Sequence, residues 1–259
     1  MRKLLLNLLA SGVFISFVFS PEAGEEIDYR TPPNRKTSPG DAAAEDTFFQ
    51  SRYPDGQLKM KGLIKEGVRH GVWTFWRADG SREKVEEYDQ GVRDGTWIWF
   101  GPDGKELARS DFIRGTGRDF DFYKSGARAW EGSYKRGRKE GRWIFWYPDG
   151  RRRLEGFYRA GRKDGMFTYW RSNGVKLMEG EFKGGLMEGT WTMWFSNGIK
   201  MSEENYRFGE KDGPARYWSA YDGRQTREDI YREGRLISSK KFPAAEGADR
   251  DTGGEGKPR

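Results

Sequence analysis

Few residues in this chain are equipped for chemistry, and they recur at regular positions. His70 is the only histidine, there is no cysteine, and no phosphate-cradling glycine loop or serine-nucleophile motif is present. His70 occupies a position that Asp94, Glu140, Asp164, Glu188 and Asp212 fill at intervals further along. A polar side chain that recurs in a turn is expected to accept hydrogen bonds from neighbouring turn amides, as Asp commonly does. That regularity argues against a dedicated general acid and base. A lone histidine without cysteine argues against a transition-metal site, and no contiguous calcium loop occurs. The chain reads as non-catalytic, with no cofactor, no metal and no small-molecule substrate.

The elements that would carry these residues come from a repeat. Gly56, Gly80, Gly104, Gly126, Gly150, Gly174, Gly198 and Gly223 mark one turn per unit, each at the end of a Pro-Asp-Gly, Asn-Gly or related step. Such steps supply the positive φ of tight hairpin turns. A second series, Gly71, Gly95, Gly117, Gly141, Gly165, Gly189 and Gly213, runs in step with the first. Each unit holds a G-x-W-x-F-W strand, as in Gly141 to Trp146, and a second strand ending in an aromatic such as Tyr158 or Phe182. A longer G-x-x-[Asp/Glu]-G turn is expected to feed the next unit. Loops this short leave no room for crossovers. The fold class is therefore all-β: an elongated antiparallel β-hairpin repeat array, about eight units of roughly 24 residues, in one twisted, meandering sheet.

Two units depart from the pattern. The connecting turn is shortened at Gly115-Thr116-Gly117, and Asp119 replaces the aromatic that Trp97 and Trp143 represent elsewhere. This irregular unit over 115–126 is either a kink or a docking point. The last unit has Ala215 in the same column, as a terminal cap would.

Rings fall on both faces of the strands. Trp73, Trp76, Trp97, Trp143, Trp146, Trp170, Trp191, Trp194 and Trp218 are candidates for partner binding or for core. Arg138, Lys139, Arg162 and Lys163 in one kind of turn, and Arg151, Arg152 and Arg153 after the other, are candidates for basic edges. Such edges would attract anionic lipid or glycan, or simply block edge-to-edge aggregation.

The chain has 259 residues, 15% of them aromatic and 34% charged, with a formal net charge of +7. Disordered chains are poor in aromatics, so this is a thin folded structure. Residues 1–23 open with Arg2 and Lys3 and run apolar from Leu4 to Phe19, the pattern of a signal peptide or a retained N-terminal anchor. Residues 24–48 read as a flexible spacer, 49–241 as the repeat domain and 242–259 as a disordered tail. The expected location is the periplasm or cell envelope, or outside the cell, which argues against nucleic acid as a ligand.

The Glu-Gly steps at Glu131-Gly132, Glu155-Gly156 and Glu179-Gly180, joined by G-x-x-[Asp/Glu]-G-x-[Trp/Phe], resemble MORN-type repeats. The bacterial MORN-variant (YwqK-like) proteins are most similar. The resemblance implies a β-hairpin array that mediates protein contacts and, in some members, membrane association; some bacterial relatives are called antitoxins. The expected function is a non-catalytic repeat scaffold binding a protein partner at the cell envelope. Electrostatic adhesion to an anionic membrane or glycan surface and antitoxin-like binding are the alternatives.

Overall fold

The computed structural model describes residues 46–243, and the readings for 1–23, for the tail beyond 243 and for most of the spacer lie outside them. Thr47 and Phe48, read as spacer, already belong to the first strand. The first sheet contains β1 (Thr47–Arg52), β2 (Leu58–Lys65), β3 (Val68–Trp76), β4 (Arg82–Asp89), β5 (Val92–Arg93), β6 (Gly95–Phe100) and β7 (Glu106–Phe112). The second contains β8 (Gly117–Phe122), β9 (Arg128–Lys135), β10 (Arg138–Trp146), β11 (Arg152–Arg159), β12 (Arg162–Trp170) and β13 (Lys176–Lys183). It continues through β14 (Leu186–Trp194), β15 (Lys200–Arg207), β16 (Glu210–Trp218), β17 (Gln225–Arg232) and β18 (Arg235–Lys241). Every pairing is antiparallel and strand order follows the chain, as hairpins in series dictate.

Two expectations need correction. The turn read as G-x-x-[Asp/Glu]-G is a two-residue turn that ends at its first glycine. Arg159 pairs with Arg162, and Ala160 and Gly161 between them have φ of 50° and 87°. Both central residues at positive φ define the turn whose twist matches a hairpin. The residues after that glycine are already strand, and the second glycine marks a break in register, as between Glu140 and Ile144.

The single sheet is also divided. Where Gly115-Thr116-Gly117 lacks two residues, the β7–β8 ladder shrinks to one bridge, Ile113 to Thr116. The bulge of the other units cannot form there. Gly117 instead lies under Phe112, whose ring comes within 2.8 Å of where a Cβ would stand. The hydrophobic core nevertheless crosses the seam, because Trp99 of β6 meets Phe120 of β8 edge to face at 5.4 Å.

One row of side chains explains the repeat. Successive strands place Trp143, Gly156, Phe167 and Gly180 opposite one another, and all four are buried. A Cβ on Gly132 or Gly156 would stand within 2.3 Å of the neighbouring ring, so the Glu-Gly step is the space the next ring occupies. The register break beside each such glycine frees a backbone carbonyl, and the indole of the next strand donates to it. Trp73 Nε1 bonds Leu63 O at 3.2 Å, Trp97 Nε1 bonds Glu87 O at 2.9 Å, and Trp143 and Trp191 repeat the arrangement. The aromatics ending each second strand fill in between, giving a chain of edge contacts from Tyr134 through Trp143, Tyr158, Phe167 and Phe182 to Trp191.

Phe167 lacks the indole donor, although Gly156 already makes the room. Phe167→Trp is expected to stabilise the protein by about 1 kcal/mol, the usual net value of one hydrogen bond. Urea denaturation measures this, and a loss of stability would mean that the β11–β12 register differs from its neighbours.

Candidate binding surface

The structure sorts the sequence-derived candidates by depth. Trp73, Trp97, Trp143 and Trp191 are at most 2% exposed and belong to the core. Trp76, Trp146, Trp170, Trp194 and Trp218 form a separate, half-buried row at the ends of their strands. Cations cover several of these rings. Lys61 lies 5.6 Å from the Trp76 centroid, Lys176 5.4 Å from Trp194 and Lys200 5.0 Å from Trp218. Lys176 and Lys200 are also paired with Glu179 at 2.7 Å and Glu203 at 2.5 Å. This face is thus a ladder of rings, cations and glutamates that satisfy one another.

The central row contains acids that its aromatic pattern does not announce. Glu86, Asp119, Glu204 and Asp229 are each at most 3% exposed. Each has a cation and a second partner. Glu86 meets Lys84 at 2.6 Å and Arg69 at 3.5 Å, and accepts from the Tyr88 hydroxyl at 2.8 Å. Glu204 meets Lys211 at 3.0 Å and accepts from Tyr206 at 2.7 Å. Asp229 meets Arg227 at 3.2 Å and accepts from Ser239. Asp119 joins Arg93 at 2.5 Å across the seam, and the same guanidinium lies 4.3 Å from the Tyr134 centroid and 4.8 Å from Trp97.

Burial pushes the Glu86 pKa up, but Lys84, Arg69 and Arg93 outweigh it and hold the carboxyl below the ordinary value of 4.5. At Asp119 burial prevails over Arg93 and raises the pKa. A depressed folded-state pKa gives stability that is present above the unfolded value and lost as pH falls. Glu86, not Asp119, therefore contributes to acid sensitivity below about pH 4.5. Glu86→Gln is expected to lower stability at neutral pH and to flatten its decline over that acid range. Denaturation midpoints at a series of pH values measure both effects, and an unchanged acid slope would contradict the assignment.

The turn polar groups behave as a structural column. Asp94 Oδ1 accepts from Arg114 N at 3.1 Å, Glu140 Oε2 from Ala160 N at 2.8 Å, Asp164 Oδ2 from Gly184 N at 3.2 Å and Glu188 Oε2 from Phe208 N at 3.0 Å. His70 Nδ1 takes the same role toward Gln90 N at 3.4 Å. These groups tie each two-residue turn to the next. Among the described residues, no three His, Cys, Asp or Glu side chains are grouped as a metal site would need.

The basic candidates divide three ways. Lys139 and Lys163 fold back over core rings, 4.7 Å from the centroids of Trp143 and Phe182 respectively. Burial, and then Lys139, hold Lys163 below the ordinary lysine value. Arg151 bonds Ser172 O at 2.8 Å, Arg152 pairs with Glu155 at 3.0 Å, and Arg153 lies against Phe145, so these sequence neighbours form no common row. Arg138 and Arg162 remain exposed beside the two-residue turns. Along that rim they join Arg114, Lys135, Arg136 and Lys183, which sequence reading did not group because they recur only once or twice per unit.

The family described as MORN repeat variant has a model that matches residues 187–207, which run from β14 into β15. The match supports a MORN-type repeat protein. Such repeats are generally non-catalytic binding modules, and the matched segment contains the ring-over-backbone packing described above, with Trp191 buried. No curated protein matches the chain.

Proposed function

We propose that this MORN-type array is a non-catalytic scaffold that binds a protein partner at the cell envelope, to which the signal-like residues 1–23 would direct it. It would be similar to the YwqK-like proteins. The observation that carries this reading is the presentation of apolar side chains on a frame that has no structural use for them. Phe208 is 73% exposed at the apex of a two-residue turn with φ of 52°, and Leu186, 51% exposed, stands beside it. The core tryptophans are interior, so the partner meets the rims instead.

A second reading is adhesion to an anionic membrane or glycan, favoured by the exposed cations of the same rim. An antitoxin-like role would be a special case of protein binding. Affinity purification of the tagged full chain from a gently solubilised envelope fraction, washed at low and then high salt, separates these. One stoichiometric protein surviving high salt is the expected result. Retention on envelope material that salt abolishes, without a partner protein, would overturn it, since surface electrostatics are screened.

A further inference from the structure

The two rims of the array differ in charge. On the rim of two-residue turns, Arg114, Lys135, Arg136, Arg138, Arg162 and Lys183 are all exposed. None of the six forms an ion pair among the described residues, in contrast to Arg128, Arg152, Lys176 and Lys200, which are paired with glutamates. The acids of these same turns, Glu140, Asp164 and Glu188, accept from backbone amides, and Asp164 also pairs with Arg159 on the same rim at 3.4 Å. Exposed Glu66 and Asp89 lie on the rim before this stretch, and after it Glu210 and Glu233 are mixed with exposed Arg232 and Arg235. Where the stretch ends on the C-terminal side, Leu186 and Phe208 supply an apolar step. Gly209, next to Phe208, would bring a Cβ within 3.4 Å of Leu186, so the two side chains stand on adjoining turns.

We infer that this rim is the docking site for an acidic, extended segment of a protein partner, carrying an apolar anchor that seats on Leu186 and Phe208. The inference rests on the protein-binding reading above and names the surface and the chemistry of the partner. The five turns from Arg114 to Phe208, each two strands from the next, span about 38 Å at the ordinary strand spacing. An extended chain covers that distance with about twelve residues. The charge pattern favours a segment over a bilayer, because an anionic plane would also press against Glu66 and Asp89 on one side of the stretch and Glu210 on the other. The cations stand at strand ends on a hydrogen-bonded frame, so the spacing of their backbone positions is set before binding, and only the side chains are ordered by it. Arg predominates among them, the residue best suited to grip carboxylates in pairs.

The test uses the full chain and two probes: a peptide of about twelve residues, rich in Asp and Glu and ending in Leu-Phe, and vesicles of phosphatidylcholine with phosphatidylglycerol. The triple variant Arg136→Ser, Arg138→Ser, Arg162→Ser is expected to lose at least about tenfold in peptide affinity, the scale of a few charge-assisted hydrogen bonds. Phe208→Asn, which also suits the positive φ of its turn, is expected to weaken the Leu-Phe peptide severalfold and to leave an all-acidic peptide unaffected. Arg142→Ser, on the face opposite the core row, is expected to change nothing. Equal weakening by Arg142→Ser, or indifference to Phe208→Asn, would overturn the proposal in favour of unspecific attraction. Binding to vesicles but not to peptide would overturn it in favour of lipid. If the purified native partner binds the triple variant as well as the wild type, this rim is excluded while the protein-binding reading stands. If no partner exists, that reading fails by itself.

Discussion

Gly180→Ala is expected to destabilise the array by about 3 kcal/mol, the upper range for overpacking a core. The added Cβ would stand 2.3 Å from the Trp191 ring, and the three nearest atoms all belong to that indole. The ring cannot swing aside. Its Nε1 is bonded to Glu181 O at 3.1 Å, and Phe182 packs edge-on at 4.9 Å. Gly174→Ala is the control, since a Cβ there meets nothing within 4 Å. Its cost is only the left-handed backbone at φ 86°, about 1 kcal/mol. Urea denaturation compares the two, with hydrogen exchange at β13 and β14 showing whether the loss is local, as a repeat array permits. Equal effects at the two glycines would mean that Trp191 does not lie over the Gly180 backbone.

Arg93→Met is expected to cost about 3–5 kcal/mol, because it leaves the Asp119 carboxylate buried and unpaired at the seam. The side chains of Arg93 and Asp119 are 15% and 4% exposed, so solvent screens the pair little. The guanidinium also covers Trp97 and Tyr134, one ring from each sheet. Since burial already raises the Asp119 pKa, removing the cation raises it further. The variant should regain part of its loss as the pH falls and Asp119 takes up a proton. The double change Arg93→Met, Asp119→Leu should recover most of the stability, because a buried pair exchanged for apolar groups is often neutral. Denaturation of the three chains at neutral and acid pH reads all of this. A single change without cost would show that the ion pair does not hold the two sheets together.

The array was legible because its turns need particular residues. Pro-Asp-Gly and Asn-Gly at Gly56, Gly104, Gly174 and Gly198 fix hairpins by local chemistry alone. The two-residue turns were not read correctly because only one of their residues is a consistent glycine. The other is Glu66, Gln90, Arg114, Arg136, Ala160, Gly184, Phe208 or Glu233, all at positive φ. Gly184 apart, nothing in their types signals that conformation. The turn acids were legible as amide acceptors because Asp94, Glu140, Asp164 and Glu188 share that job, although Asp212 in the same column pairs with Arg207 instead.

The buried acids left a signal that went unused. Glu86, Glu204 and Asp229 stand in the column that Gly62, Gly132, Gly156 and Gly180 occupy and bring a carboxylate into the core there, whereas Ser110 in the same column is uncharged and half-buried. The pairing of Arg93 with Asp119 was beyond a sequence reading, because it crosses a broken ladder. The basic rim was obscured for a similar reason. Arg151, Arg152 and Arg153 are neighbours in sequence but point apart, whereas Arg114, Arg138 and Arg162 share a rim only through the stacking of whole units.

The central claim is that the rim of two-residue turns, and not the tryptophan rows, meets the partner. Photo-crosslinking in the native host tests it most directly. An aromatic photo-crosslinking residue replaces Ala160 on that rim, where the equivalent turn position is already Phe208, and in a second chain replaces Asp149 on the opposite rim. The account predicts that Ala160 yields a covalent adduct with one protein, mapped to an acidic segment, and that Asp149 yields none. An adduct with the same protein from Asp149 and none from Ala160 would contradict it.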